Sequence, residues 1–196
     1  MPKRVDHFAR RMEIAEAAAK LVADGGLELL TFRELAATSG FSKGVLEHYF
    51  ENKQALMGGA LAWLNHCFEN RAETLTHGEL GIAAIRGRIE AVMPLTRSVR
   101  DEWKVRLVFW GLAAVDSDLR RQQAQRMKQT VELFRADLEW AESSGEIAPL
   151  EDVAQSARHL TNTLVGICIS ALHQPGFYDR KQLLKELESL LQSIYP

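Results

Sequence analysis

The stretch "TSGFSKGVLEHYF", residues 38 to 50, predicts the end of one helix and the start of the next within a few residues. Gly40 can adopt the left-handed conformation that ends one helix, and Ser42 can cap a new helix two residues later. The new helix extends to Tyr49, which gives it about two turns. Two short helices joined by a tight turn that contains glycine form a helix-turn-helix, in which the second helix projects from the surface.

The segments around this stretch predict an all-α protein. An apolar stripe runs from Ile14 to Val22 and stops at Gly25-Gly26. Thr31, with Glu34 three residues later, predicts a second helix with a reciprocal cap that runs to about Thr38. A fourth helix is expected from about residue 52, with Gly58-Gly59 as a weak point. Further helices are expected over 79–97, with Pro94 kinking the end, and over 101–115, 117–143, 151–173 and 179–194.

Composition excludes several classes of protein. The chain has 196 residues, of which 46% are hydrophobic and 26% are charged, which is an ordinary globular balance. Cys67 and Cys168 are too far apart in sequence for a metal motif or a disulfide framework, and we expect both to be buried apolar groups. No run is apolar enough for a membrane helix or a signal peptide, so a cytoplasmic location is expected, with no cofactor and no metal.

The third helix has an inner and an outer face. Leu46 and Phe50 have the spacing to pack against the first two helices together with Leu35, Ala36 and Phe41. The outer positions are Ser42, Lys43, Gly44, Val45, Glu47, His48 and Tyr49. Turn geometry alone leaves two alternatives open. The outer face could enter a major groove of DNA, or it could be the solvated face of an ordinary helical hairpin.

A wider set of positions resembles the N-terminal signature of TetR-family transcriptional regulators. The match covers about a quarter of the chain without a gap and rests on Ile14, Ala17-Ala18, Gly25, Thr31, Leu35-Ala36, Gly40, Ser42, Gly44, Leu46, Phe50, Lys53 and Leu56. The resemblance implies a three-helix DNA-binding domain, residues 1–53. It also implies a larger helical domain, residues 54–196, that binds a small effector and dimerises.

Carried over position by position, the resemblance implies a set of DNA-contacting residues. They are Thr31, Arg33, Ser42, Lys43, Gly44, Val45, His48, Tyr49 and Lys53. Lys53 and Tyr49 are suited to phosphate contacts, whereas Lys43 and His48 can reach base edges. Glu47 departs from the family, which usually has a tyrosine there, and is a candidate specificity residue that Arg33 or Lys43 could orient.

Net charge by itself does not indicate a nucleic-acid partner, because it is only -2. The location of the cations is more informative. Lys3, Arg4, Arg10 and Arg11 cluster near the N-terminus, while Arg33, Lys43 and Lys53 belong to the proposed docking face. Binding to DNA is therefore expected to be sensitive to salt.

Two C-terminal segments, 151–173 and 179–194, are expected to form the dimer interface. They carry a row of apolar residues that exceeds the apparent need of one subunit: Ala154, Ala157, Leu160, Leu164, Ile167, Ala171, Leu172, Leu183, Leu184, Leu187, Leu190, Leu191 and Ile194. Two copies would make a four-helix interface and require a palindromic operator. The alternative is that both segments belong to the internal core of one chain.

A set of aromatic, soft and polar residues is the candidate lining of an effector site. It comprises Trp63, His66, Met93, Trp110, Phe134 and Asn162, with Asn65 and Met127 beside them. The alternative is that these side chains only fill a core.

The motifs "VRLVFWGLAAVDSDLRR", "AESSGEIAP" and "NTLVGICISALHQP" resemble the C-terminal domain of the choline-responsive betaine-pathway repressors. This resemblance implies that the effector is choline or betaine aldehyde, whose quaternary ammonium group tryptophans could hold by cation–π attraction. Val165 occupies a position at which that subgroup often has an acidic residue, and this departure disfavours a cationic effector.

These observations predict a ligand-responsive regulator, a repressor that a small molecule releases from its operator, with the fourth helix as the lever. The alternative is a helical interaction protein that binds neither operator nor ligand. Catalysis is not expected, because the adjacent His66 and Cys67 would point about 100° apart on a helix.

Overall fold

The computed structural model describes residues 6–194, which form nine α-helices and no β-strand. No helix in this part of the chain is long and apolar enough to cross a membrane. The helices are α1 (His7–Leu29), α2 (Phe32–Ser39), α3 (Lys43–Tyr49), α4 (Lys53–Thr76), α5 (Gly81–Val92), α6 (Arg97–Ala113), α7 (Ser117–Ser143), α8 (Val153–His173) and α9 (Arg180–Gln192).

Short polar side chains fix where most helices begin. Eight of the nine helices have an N-cap side chain that accepts a hydrogen bond from a first-turn amide: Asp6, Thr31, Ser42, Asn52, Thr96, Asp116, Asp152 and Asp179. The exception is α5, where the carboxylate of the distant Glu146 accepts from the amide of Ile82 at 2.9 Å.

The reciprocal cap predicted for α2 forms only in one direction. The amide of Glu34 donates to Thr31 Oγ1 at 3.1 Å, as expected. The carboxylate of Glu34 instead accepts from Arg33, whose terminal nitrogen lies 3.0 Å away. Arg33 therefore replaces the Thr31 amide as the hydrogen-bond donor to the Glu34 carboxylate.

Two predicted helix boundaries near Pro94 were wrong. Gly26 interrupts α1 with a φ of 76°, as expected, and the Gly58-Gly59 pair, expected as a weak point of the fourth helix, lies inside a continuous α4. Helix α5 ends at Val92, before Pro94, and α6 already begins at Arg97. Met93 is extended, with ψ of 138°, because a residue that precedes proline is sterically excluded from the helical region.

Two hydrophobic cores are joined by α6, which contributes to both, and by the contact between α4 and α5. The first core packs α1 to α3 against the N-terminal half of α4, and α6 contributes Val105 and Phe109 to it. The second core contains α5, α7, α8 and α9, and α6 contributes Val99 and Trp103. Trp110 packs against both cores. A shift of α6 would therefore disturb both cores, and a shift of α4 would disturb its packing against α1 and α5.

Most apolar residues of α8 and α9 are buried within their own chain. Ala157, Leu160, Leu164 and Ala171 of α8 are at most 4% exposed. Five residues of α9 and its C-terminal end are buried as well: Leu183, Leu187, Leu190, Leu191 and Ile194. The expected surplus of apolar surface was therefore overestimated, because α9 packs against α5 and α8. The predicted residues that stay partly exposed are Ala154, Ile167, Leu172 and Leu184.

Candidate nucleic-acid interface and effector cavity

Helix α3 presents a polar face that its own caps and core hold in place. Ser42 Oγ accepts from the amide of Val45 at 3.3 Å, and Leu46 is fully buried on the opposite side. Val45 is 38% exposed although it is apolar. A Cβ on Gly44 would meet nothing within 4 Å, so packing within the chain does not require glycine there. The small residue leaves room for a partner to approach the backbone.

Lys43 and Glu47 form an ion pair on this face. Lys43 Nζ lies 3.3 Å from Glu47 Oε1, and the two side chains are 65% and 50% exposed. Of the two cations considered for orienting Glu47, Lys43 is the one that contacts it. Exposed ion pairs of this kind contribute about 0–1 kcal/mol to stability, so Lys43 can leave Glu47 and bind a phosphate instead.

The C-terminal end of α3 is braced by α1. Tyr49 Oη lies 3.1 Å from His7 Nδ1, and the His48 ring contacts Tyr49 edge to face with centroids 5.2 Å apart. Arg11 donates to the Tyr49 carbonyl and lies 4.2 Å over the Phe50 ring. The contact between His7 and Tyr49 could not be predicted from local sequence, because 42 residues separate them.

The remaining predicted contacts lie around α3. Thr31 caps α2, and Arg33 is 88% exposed. Lys53 Nζ donates to the carbonyl of Leu27 at 2.8 Å, which uses one of the three ammonium donors and leaves the others available for phosphate. Lys3 and Arg4 of the predicted basic cluster lie outside the described residues.

A cavity of about 550 Å³ lies in the C-terminal domain, with walls from α4, α5, α6, α7 and α8. Of the predicted lining residues, Trp110 and Phe134 line it, as do Asn65 and Met127. Trp103 and several polar residues of α7, among them Gln123, Arg126 and Thr130, also line the cavity and were not predicted from the sequence.

Four predicted residues lie outside the cavity lining. Trp63 lines a separate cleft beside α1, and Met93 is fully buried in the second core. His66 is exposed and lies 3.1 Å from Asn70. Asn162 is exposed on α8, while the adjacent Thr161 lines the cavity. Neighbouring helical positions differ by about 100° in direction, and sequence alone did not fix which face of α4 and α8 turned inward.

The charged residues that line the cavity are all arginines. They are Arg88, Arg106, Arg121 and Arg126, and the lining within residues 6–194 includes no aspartate or glutamate. Three of them have carboxylate partners outside the lining: Arg88 with Asp137, Arg121 with Asp118, and Arg126 with Glu69, at 2.6 to 2.8 Å.

Arg106 is different. Its two hydrogen bonds go to neutral acceptors, Asn65 Oδ1 and the Leu64 carbonyl, each at 3.3 Å. The nearby Glu102 is held by Arg71, which donates to both carboxylate oxygens at 2.7 Å. Burial lowers the pKa of Arg106 to about 10, so the guanidinium remains charged at neutral pH.

This charge pattern disfavours the cationic effector that the resemblance implied. Trp103 and Trp110 do form an edge-to-face pair with centroids 5.6 Å apart, and both line the cavity. However, two like charges about 5 Å apart repel by about 3 kcal/mol at an effective dielectric constant of about 20. That cost exceeds the ~0.5–2 kcal/mol that one cation–π contact contributes.

A helix-turn-helix joined to a helical domain that encloses a cavity defines the class of ligand-responsive, DNA-binding transcriptional regulators. Residues 14–59 match the profile of the bacterial regulatory proteins of the tetR family, and residues 82–196 match that of the BetI-type transcriptional repressor C-terminal domain. The chain belongs to the TetR family. Homodimers are typical of this family.

Individual relatives agree with this assignment. The regulator BetI of Burkholderia thailandensis is 25% identical over 94% of this chain and 93% of its own length. Alignments with five further curated relatives span 39% to 64% of those proteins.

Solved structures share the fold. A transcriptional regulator from Rhodococcus superposes with a TM-score of 0.80 at 23% identity, covering 94% of this chain and 95% of the other. A regulator from Saccharomonospora viridis, in complex with choline, has a TM-score of 0.75 at 19% identity, covering 94% of this chain and 96% of the other.

Proposed function

We propose that this protein is a repressor that binds a palindromic operator as a homodimer and leaves it when an effector fills the cavity. The observation that carries the proposal is the α3 face, on which Lys43, Val45 and His48 stay exposed while Leu46 anchors the helix from behind. Base edges are read by such exposed residues near the start of a recognition helix. Action on DNA also supports a cytoplasmic location.

We propose the DNA-contacting set inferred from the sequence, with His7 added as a residue that orients Tyr49. Lys43 and His48 would face bases, whereas Lys53 and the Tyr49 hydroxyl would face phosphates. Arg33 and Thr31 would lie at the edge of the groove, and the small Ser42 and Gly44 would permit close approach.

The dimer interface is proposed to lie on α8 and α9. A groove between these helices is lined by His159, Thr163, Ile167, Glu186 and Ser189, among others. This surface is more polar than the apolar residues of the two segments predict. Two-fold symmetry would place the recognition helices about 34–36 Å apart, one turn of DNA.

Control would pass through α4, which extends from Lys53 on the DNA side to Asn65 and Phe68 on the cavity side. An effector that binds one spacing of the recognition helices better than the other shifts the population toward that spacing. A hundredfold loss of operator affinity requires a coupling free energy of about 2.7 kcal/mol.

The test is fluorescence anisotropy with labelled duplexes that tile the DNA upstream of the gene, at several salt concentrations. The expected result is cooperative binding to one palindrome by a dimer. The Lys43→Ala, Tyr49→Ala double variant should bind this palindrome at least tenfold more weakly, about 1.4 kcal/mol. Equal affinity of the variant and the wild type, or a monomer in sedimentation at assay concentrations, would contradict the proposal.

A further inference from the structure

We propose that the cavity takes an organic carboxylate with an apolar body, and that Arg106 binds the carboxylate group. This inference rests on the proposed function, since it names the chemical class of the effector. It is drawn from the charges around the cavity and from the contacts of one side chain.

Arg106 has donors to spare. A guanidinium carries five N–H donors in a planar fork, and the two hydrogen bonds of Arg106 leave three of them unused. Both bonds go to neutral oxygens on α4. A carboxylate is planar and accepts two parallel hydrogen bonds from such a fork, which makes it a better match than a neutral carbonyl or hydroxyl.

The charge of Arg106 is not balanced by a direct contact. Within residues 6–194, no carboxylate oxygen lies within 4.0 Å of its guanidinium, and its hydrogen bonds are the two described above. The oxygens of Glu102 are both held by Arg71, so that acid is already engaged. The cavity wall therefore has an excess of one positive charge beside an apolar space, and an anionic ligand would balance it.

The rest of the wall sets the nature of the ligand body. Phe68, Trp103, Trp110 and Phe134 line the cavity together with Leu61 and Leu164. A volume of about 550 Å³ exceeds what a carboxylate alone would fill. Rings or an alkyl chain would bury against these side chains, and burial of apolar area would supply most of the affinity.

The same arginine links the cavity to the proposed lever. Its acceptors, the Leu64 carbonyl and the Asn65 side chain, lie on α4, and Leu64 packs in the first core with α1. A carboxylate that draws the guanidinium into the cavity competes for these long bonds of 3.3 Å. Loss of the bonds loosens α6 from α4, which provides a route from the ligand to the helix-turn-helix.

The experiment compares acids with their uncharged isosteres. Octanoate, 3-phenylpropanoate and indole-3-acetate are each titrated against the full chain by calorimetry, beside octanamide, 3-phenylpropanamide and indole-3-acetamide. We expect at least one acid to bind about tenfold or more tightly than its amide, because only the acid pairs with the partly buried guanidinium of Arg106. Choline is included as a cationic probe and is expected not to bind in the cavity.

Variants test whether Arg106 is the source of the preference for an acid over its amide. In Arg106→Met the acid and its amide should bind with equal affinity, while Arg106→Lys should keep part of the difference. Arg97→Met removes the same charge from an exposed position on the same helix and should keep the full difference. The ratio of acid to amide affinity separates recognition from a packing role, since loosened packing would weaken both ligands alike.

Two outcomes overturn the inference. One is that no acid binds more tightly than its amide to the wild-type protein. The other is that Arg106→Met, with the far-UV circular dichroism of the wild type, keeps the preference. Operator binding is measured separately without ligand, so a chain that binds its palindrome but ignores acids contradicts only this inference. A chain that prefers acids but binds no palindrome contradicts only the proposed function.

Discussion

Arg71 on α4 donates to both carboxylate oxygens of Glu102 on α6 at 2.7 Å, and Glu102 is only 4% exposed. The same guanidinium donates through Nε to the carbonyl of Ala91, near the end of α5. One cation thus joins three helices. A buried pair of this kind fixes the geometry of the helices more than it adds to stability, because desolvation offsets much of its attraction.

Replacing Glu102 should therefore be costly. The substitution Glu102→Gln leaves the Arg71 charge without its anion, and we expect the free energy of unfolding to fall by about 3 kcal/mol. Urea denaturation followed by circular dichroism measures this change. The matched control is Glu69→Gln, which breaks the pair with Arg126 at a side chain that is 56% exposed. Glu69→Gln should change the free energy of unfolding by less than about 1 kcal/mol. Equal effects of the two variants on stability would contradict the interpretation.

The two adjacent glycines of α4 should respond in opposite directions to alanine. A Cβ on Gly59 would lie 2.5 Å from the ring of Phe50, which is 1% exposed and cannot easily move. Gly59→Ala should therefore destabilise the protein by about 1–3 kcal/mol. A Cβ on Gly58 meets nothing within 4 Å, so Gly58→Ala should raise stability by up to about 1 kcal/mol. Thermal unfolding of both variants provides the test.

The contribution of Lys43 to DNA binding should be visible in the salt dependence. If Lys43 contacts a phosphate in each subunit, Lys43→Ala should reduce the slope of log K against log salt by about 2 in a dimer. If it contacts a base, affinity should fall at one operator position while the slope changes less. Lys20→Ala, on an exposed face of α1, serves as the control. An unchanged affinity and slope for Lys43→Ala would remove this residue from the interface.

The two cysteines should react at very different rates. Burial raises the pKa of both thiols, strongly for Cys168 and less for Cys67, where the charge of Glu102 adds to the effect. A raised pKa means that less thiolate is present at a given pH. The labelling rate of Cys67 should therefore increase only at a more alkaline pH than the labelling rate of an unperturbed thiol. Cys168 should react with Ellman's reagent only after unfolding. Fast labelling of the Cys67→Ser variant in its native state would contradict this assignment.

Local sequence determined much of the fold. Caps such as Thr31, Ser42 and Asn52 satisfy amides a few residues away, so the starts of the first helices could be predicted without knowledge of the rest of the chain. The turn at Gly40 was predictable for the same reason, since its φ of 76° suits glycine. These interactions span three or four residues, and the helix-turn-helix is built from them.

Only the tertiary structure decided which faces of the helices enclose the cavity. Trp110 and Phe134 point into it, but Trp63 and Met93 do not, because the direction of a helix face is set by packing against other helices. The solitary charge of Arg106 could not be predicted either. It depends on Glu102 being held by Arg71, a residue 31 positions away in the sequence. Local sequence determined where the first helices start and where the helix-turn-helix turns, whereas long-range packing and charge pairing determined what the helices surround.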